Sequence, residues 1–183
     1  LSRGAGLLTR RRPSHVFHIT VPNRKGVLLV TDAVVNVLPN TRKMVDIVNN
    51  AVELAHALGT ATPHVALLSG AEVVSSSMPS SVQAAEVAAR AASGEVKGAV
   101  VDGPFALDNA ISLEAAQIKG INSPVAGNAD IVVVPNVEAG NILFKQMVYF
   151  LSATAAGVVM GTNVPIALTS RADPPEARLA ATL

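Results

Sequence analysis

The stretch TRKMVDIVNNAVELAHALGTATPHVALL, residues 41–68, decides the fold. Its first part carries apolar residues three and four apart: Met44, Ile47, Val48, Ala51, Val52, Leu54, Ala55 and Leu58. That spacing lines one face of a helix over residues 41–58. Thr41 reads as its N-cap and Gly59 as its C-cap. Residues 65–68 then run as unbroken Val-Ala-Leu-Leu, which suits a strand buried on both faces. An amphipathic helix feeding such a strand is the repeating element of an α/β fold.

The same alternation extends outward in both directions. Towards the N-terminus, residues 15–21 and 27–31 read as strands around a turn at 22–26, a pair able to form an antiparallel edge. Towards the C-terminus, a helix opens at Ser80 or Ser81 and runs to about Ala92. A strand over 99–101 ends in Asp102-Gly103-Pro104, which reads as a turn first and a site second. A helix over 108–119, a strand over 131–134 ending in Pro135-Asn136, and a helix over 138–153 follow. Strands at 158–160 and 166–168 and a short helix complete the chain. The expectation is an α/β protein: a mainly parallel sheet with helices on both faces.

Composition narrows the function. The 183 residues suit one core, or one domain with a short extension. Half are hydrophobic but only 3% are aromatic, so alanine, valine, leucine and isoleucine must fill the interior. A net charge of +1 argues against nucleic acid as the ligand, and Arg10-Arg11-Arg12 reads as a solvated loop. With no cysteine, the chain can have no disulfide, thiolate metal site or cysteine nucleophile. Any thiol chemistry must use a thiol that the substrate brings. His15, His18, His56 and His64 are scattered and no carboxylate cluster resembles a metal site. The dinucleotide, P-loop, zinc-protease and serine-hydrolase motifs are absent. Residues 16–21 are too short for a signal core, and 153–168 are broken by Gly157, Gly161, Asn163 and Pro165. A cytoplasmic protein without membrane contact is expected. The chain opens at Leu1 rather than methionine, which leaves room for residues before it.

In open parallel sheets, ligands bind beyond the carboxyl ends of the strands. That rule selects Thr31-Asp32, Ser69-Gly70, Asp102-Gly103-Pro104, Pro135-Asn136 and Thr169-Ser170-Arg171. The last leads into Ala172-Asp173-Pro174-Pro175-Glu176, where a hydroxyl, a guanidinium and free helix N–H groups could meet an anion such as phosphate. Capping boxes at Ser170–Asp173 and Asp173–Glu176 explain the same residues without a ligand, and residue types alone leave the two readings open. Glu138, Asn141 and Lys145 share a helical face, and Gly140 permits close approach of another backbone or a ligand. A solvated face with a Glu–Lys contact accounts for them equally.

Several motifs in one order then become recognisable. They are Asp102-Gly103-Pro104 through Asp108-Asn109-Ala110-Ile111-Ser112, Ser123-Pro124-Val125-Ala126-Gly127 with Ala129-Asp130-Ile131, Val134-Pro135-Asn136 running into Glu138-Ala139-Gly140-Asn141-Ile142, and Thr169-Ser170-Arg171-Ala172-Asp173. Together they resemble the phosphate acetyltransferase/phosphate butyryltransferase family along nearly the whole chain. The Ser170-Arg171 tail looks closer to the butyryl branch, or to acetyltransferases fused to enoyl-CoA hydratases. The resemblance implies reversible transfer of a short acyl group between coenzyme A and orthophosphate, with CoA as substrate and no other cofactor. It also implies a two-domain fold like isocitrate and isopropylmalate dehydrogenases, a site in the interdomain cleft, and a homodimer. On that reading residues 1–168 match the second domain, and 169–183 begin the return to a first domain that lies mostly before Leu1. Ser170 and Arg171 would line the site with Glu176 as base, and Asp102, Gly103, Asn109 and Asn141 would bind substrate.

Two departures stand out. The acetyltransferase branch places its base where this chain has Ala177, so Glu176, one position earlier, is a substitute. Asn136 occupies a place where the family usually has aspartate. Because part of the cleft would precede Leu1, the competing expectation is a non-catalytic ligand-binding or dimerisation domain. An oxidoreductase of the related dehydrogenase fold would need clustered metal-binding aspartates, which the chain lacks.

Overall fold

The computed structural model describes residues 6–22, 25–169 and 175–181. The strands are β1 (Ser14–Thr20), β2 (Leu28–Thr31), β3 (His64–Leu68), β4 (Val100–Phe105), β5 (Ile131–Val133), β6 (Thr154–Met160) and β7 (Ile166–Ala167). The helices are α1 (Thr41–Ala57), α2 (Pro79–Arg90), α3 (Leu107–Ile111), α4 (Leu113–Ile118), α5 (Val137–Leu151) and α6 (Pro175–Ala180). One sheet takes the order β4-β3-β5-β2-β1-β6-β7.

Successive strand residues point to opposite faces, and the chain uses both faces as core. Leu28, Val30, Ala66, Leu68, Val132 and Val134 pack with Phe144 and Met147 of α5 and Ala110 and Ala116 of α3 and α4. Leu29, Val65, Leu67, Ile131 and Val133 pack with Met44, Ile47, Val48 and Ala51 of α1 and with Ala84 and Val87 of α2. The α/β expectation with helices on both faces therefore holds. The sheet, however, is mixed. Three pairings are parallel (β2–β5, β5–β3, β3–β4) and three antiparallel (β1–β2, β1–β6, β6–β7). Nor is the β1–β2 hairpin an edge: β6 covers the other side of β1, and both hairpin strands are buried.

Local chemistry explains where the elements start and stop. The cap of α1 is Asn40, whose Oδ1 accepts from the Lys43 N–H at 3.1 Å; Thr41 instead donates its hydroxyl to Glu86 of α2 at 2.7 Å. At the other end Gly59 adopts φ 95°. Its N–H reaches the His56 carbonyl at 3.0 Å and the Thr60 N–H reaches that of Ala55 at 2.9 Å, a closed helix end. The helix expected over 108–119 is two. The N–H groups of Gly127 and Ala129 take the carbonyls of Asn109 and Ala110 at 2.8 and 3.1 Å, the acceptors a continuous helix would have used. Ser112 then caps α4, accepting from the Ala115 N–H at 3.2 Å. Asp102-Gly103-Pro104 is not a turn but the middle of β4, with a register irregularity against β3.

The basic cluster is only partly a solvated loop. Arg10 is exposed, but Arg11 bridges Glu53 at 2.7 Å and Asn50 at 3.2 Å on α1. Arg12 donates its backbone N–H to Asp46 at 3.1 Å and its Nε–H to Asn36 at 2.7 Å. These contacts tie the segment before β1 to the helix behind it.

Candidate functional site

Three of the five strand ends chosen from sequence gather at the carboxyl edge of β2, β5 and β3, namely Asp32, Asn136 and Ser69, while Asp102 lies within β4 opposite Ala66 of β3. The fifth does not join them. β7 runs antiparallel to β6, which in turn runs antiparallel to β1, and β1 antiparallel to β2. Thr169 therefore follows a strand that heads for the opposite edge. Ser170 and Arg171 lie outside the described residues. Glu176 contributes backbone to α6, which lies against β6, but its side chain also falls outside them.

At the carboxyl edge the polar groups are engaged. Asp32 is 3% exposed and accepts the N–H groups of Val34, Val35 and Asn36 and the Asn36 side-chain amide, at 2.6–3.1 Å. The same Asn36 amide donates to the Pro13 carbonyl at 2.9 Å, so the carboxylate shapes the loop after β2 and joins it to the segment before β1. Asp102 accepts from the Gly103 N–H at 2.8 Å and from the Ser123 hydroxyl at 2.6 Å. Gly103 lies against Leu67, whose Cβ would sit 2.7 Å from any added side-chain carbon. Asn136 caps α5 through the Ala139 N–H at 2.8 Å. Ser69 shares a hydroxyl contact with Ser80 at 2.9 Å.

The remaining sequence candidates divide. Asn109 is fully buried in α3 and donates to Glu72 at 3.3 Å, while its Oδ1 meets no partner among the described residues. Lys119 stands between Glu72 at 3.5 Å and Asp108 at 3.0 Å. Its hydrogen bond holds the Asp108 carboxyl below its ordinary value, desolvation opposing, and Asp108 raises the Lys119 ammonium in return. Gly140 permits close approach as expected: an added carbon would lie 2.9 Å from the Ala33 Cα and 2.7 Å from Val134. Helix α5 thereby seats directly on the end of β2. Glu138 and Lys145 are exposed with no salt bridge between them, Lys145 lying 6.0 Å from the Phe144 ring centroid. Asn141 is partly exposed, and its side chain makes no hydrogen bond among the described residues.

Sequence reasoning missed Glu72 and Asn36, and named Ser123 only within a motif, though each answers a residue it singles out. It also passed over His15, which is 1% exposed and directs Nε2 to the Leu168 carbonyl at 3.3 Å. A cavity of about 420 Å³ lies at the amino edge of the parallel strands, with His18, Lys25, Leu29, Thr60 and Asp130 in its wall. Among the described residues there is no cluster of three groups able to hold a metal, and no helix long and apolar enough to cross a membrane.

Comparison with known proteins adds what the geometry alone does not. A family profile described as "Phosphate acetyl/butaryl transferase" matches residues 8–181. A phosphate acetyltransferase of Rhizobium meliloti is 51% identical over 96% of this chain and 55% of its own length. A phosphate butyryltransferase of Clostridium beijerinckii is 46% identical over 94% of this chain and 57% of its own. The chain thus spans little more than half of these relatives. Among solved structures, a branched-chain phosphotransacylase from Enterococcus faecalis V583 superposes with a TM-score of 0.91 at 40% identity, covering 100% of this chain and 65% of that one.

Proposed function

The chain belongs to the phosphate acetyl/butyryl transferase family, and on that premise we propose that it is part of an enzyme moving a short acyl group reversibly between coenzyme A and orthophosphate. The observation that carries the proposal is the family match over residues 8–181, a span that takes in the whole sheet and the Ser170-Arg171 segment.

In the direction from acyl phosphate, a carboxylate takes the proton of the CoA thiol and the thiolate attacks the acyl carbonyl. The carbon–oxygen bond to phosphate then breaks, and phosphate leaves with the bonding electrons. Arg171 stabilises charge on the departing phosphate or the carbonyl oxygen, Ser170 lines the same wall, and Glu176 stands as the base. Because the thiol arrives with CoA, direct transfer suits a chain without cysteine. Asn141, near the N-terminal turn of α5, is the best placed of the proposed substrate contacts; Asp102 and Gly103 within β4 and the buried Asn109 of α3 act chiefly by holding their own segments in place.

The finer expectations belong with this reading: residues 1–168 as the second of two domains, 169–183 leading back to the first, a dehydrogenase-like cleft between them, a homodimer, and residence in the cytoplasm. The test is phosphate-dependent release of CoA from acetyl-CoA or butyryl-CoA by the purified full-length protein. Arg171→Ala should lower kcat roughly 10²–10³-fold, the usual cost of removing a charge-stabilising donor from a dry site. No release by the wild-type protein would refute the assignment, and a loss of only twofold on that substitution would make Arg171 peripheral.

A further inference from the structure

The side of the sheet that α1 covers is apolar where the helix lies on it: Val16, Leu29 and Ile131 share one core with Met44, Val48 and Ala51. β1 presents His18 to the same side, two residues beyond Val16 and directly opposite Leu29. There the helix has ended. Leu58 is the cap of α1, and Gly59 at φ 95° turns the chain away. The space left between helix end and strands is the cavity of about 420 Å³, bordered by the segments 25–27 and 127–130. Buried Leu29 and Ala55 give it an apolar wall, and half-exposed Val27 and Leu58 an apolar rim. Its volume lies towards the lower end of the range of about 300–1,000 Å³ usual for small-molecule sites.

The polar groups facing this cavity are unspent, unlike those at the carboxyl edge. Among the described residues, the His18 ring, the Lys25 ammonium and the Thr60 hydroxyl have no hydrogen-bond or ion-pair partner. Asp130 gives Oδ2 to the His64 N–H at 2.8 Å and keeps Oδ1 open. Asn128 turns its amide N–H to the Ala126 carbonyl at 3.2 Å, which leaves its side-chain oxygen open. Lys25 and Asp130 line one cavity yet form no salt bridge with each other. The C-terminal turn of α1 adds the negative end of its dipole to the same wall. Separated charges of opposite sign over an apolar wall call for a molecule that carries both charges on an apolar body. We propose that this cavity binds a small zwitterion with an apolar side group, in chemical class an apolar α-amino acid. Its carboxylate meets Lys25 and His18, and its ammonium meets Asp130 and the Asn128 oxygen. Its side group lies on Leu29 and Ala55. The cavity is at the amino edge, the opposite end of the parallel strands from Asp32, Asn136 and Ser69, so this binding is independent of the acyl-transfer reading.

The probe is L-leucine, titrated into the purified protein and followed by backbone amide shifts. Two relatives each lack one charge: isocaproate has no ammonium, and isoamylamine has no carboxylate. Leucine should bind with a Kd of about 1 mM or tighter, moving the resonances of Thr60, Gly127 and Asn128. Each relative should bind at least about tenfold more weakly, the worth of one charge-assisted contact. Lys25 is exposed and unpaired among the described residues, so Lys25→Met should leave the fold intact. It should weaken leucine about tenfold and leave isoamylamine unchanged. Asp130→Asn keeps an oxygen for the His64 N–H and removes only the charge. It should weaken leucine by a similar factor and leave isocaproate unchanged. Leucine that moves none of these resonances at about 10 mM overturns the inference. So does either relative binding as tightly as leucine. Leucine held equally well by wild type, Lys25→Met and Asp130→Asn also overturns it, because the site then lies elsewhere.

Discussion

Two places where this sheet offers polar groups differ in what those groups are free to do. In the parallel half, Asp32 and Asn136 at the carboxyl edge and Asp102 within β4 already spend their oxygens on neighbouring N–H and O–H groups. At the exit of β7, one buried histidine holds one carbonyl, and the residues read as chemical come after it. Carboxylates and amides at strand ends are thus as much the means of turning the chain as of meeting a ligand. A group whose lone pairs are all engaged can meet substrate only by giving up loop geometry.

The comparison breaks most visibly at Asp32. Asp32→Ala leaves the Val34, Val35 and Asn36 N–H groups and the Asn36 amide without their acceptor. The expected loss is about 3 kcal/mol or more in urea unfolding, with kcat per folded molecule unchanged; the reverse outcome would make the carboxyl edge the chemical one. Gly140→Ala comes next. Its new methyl meets backbone at Ala33, so α5 must shift, at a cost of about 1–3 kcal/mol by the same measurement.

The smallest effect sharpens the contrast at the surface. Asp108 is held below its ordinary pKa, so the stability that Lys119 lends is present at neutral pH and is lost as pH falls through that lowered value. Lys119→Met should return the carboxyl upwards, read by carboxyl ¹³C titration, and flatten this acid-side loss. The Asp108 side chain is 54% exposed, so the change in unfolding midpoint should be slight.

Much of the fold could be read from spacing, because α1 and β3 owe their form to their own residues. What could not be read depends on residues distant in the chain. Thr41 and Asn40 are both good caps, and Glu86 decides between them by taking the Thr41 hydroxyl. The break between α3 and α4 is made by the N–H groups of Gly127 and Ala129. Strand direction has no local signature at all, which is why the end of β7 was grouped with the ends of β2, β3, β4 and β5. The candidate site was legible as a set of motifs but not as hydrogen bonds. His15 carried one usable signal: a lone polar residue in register with Phe17 and Ile19 on an otherwise apolar face.

The pairing of β1 with β6 has a consequence for how the protein is made. Ser14 lies opposite Met160 and Thr20 opposite Thr154, so one side of β1 waits for a strand that follows far later in the chain. Until the ribosome has delivered Thr154–Met160, the β1–β2 hairpin presents a bare row of amide and carbonyl groups along a strand rich in valine, phenylalanine and isoleucine. Such an edge is an open template for pairing with other chains. Closure across so long a separation is also slow. The nascent polypeptide therefore carries this aggregation hazard from the synthesis of β1 until that of β6.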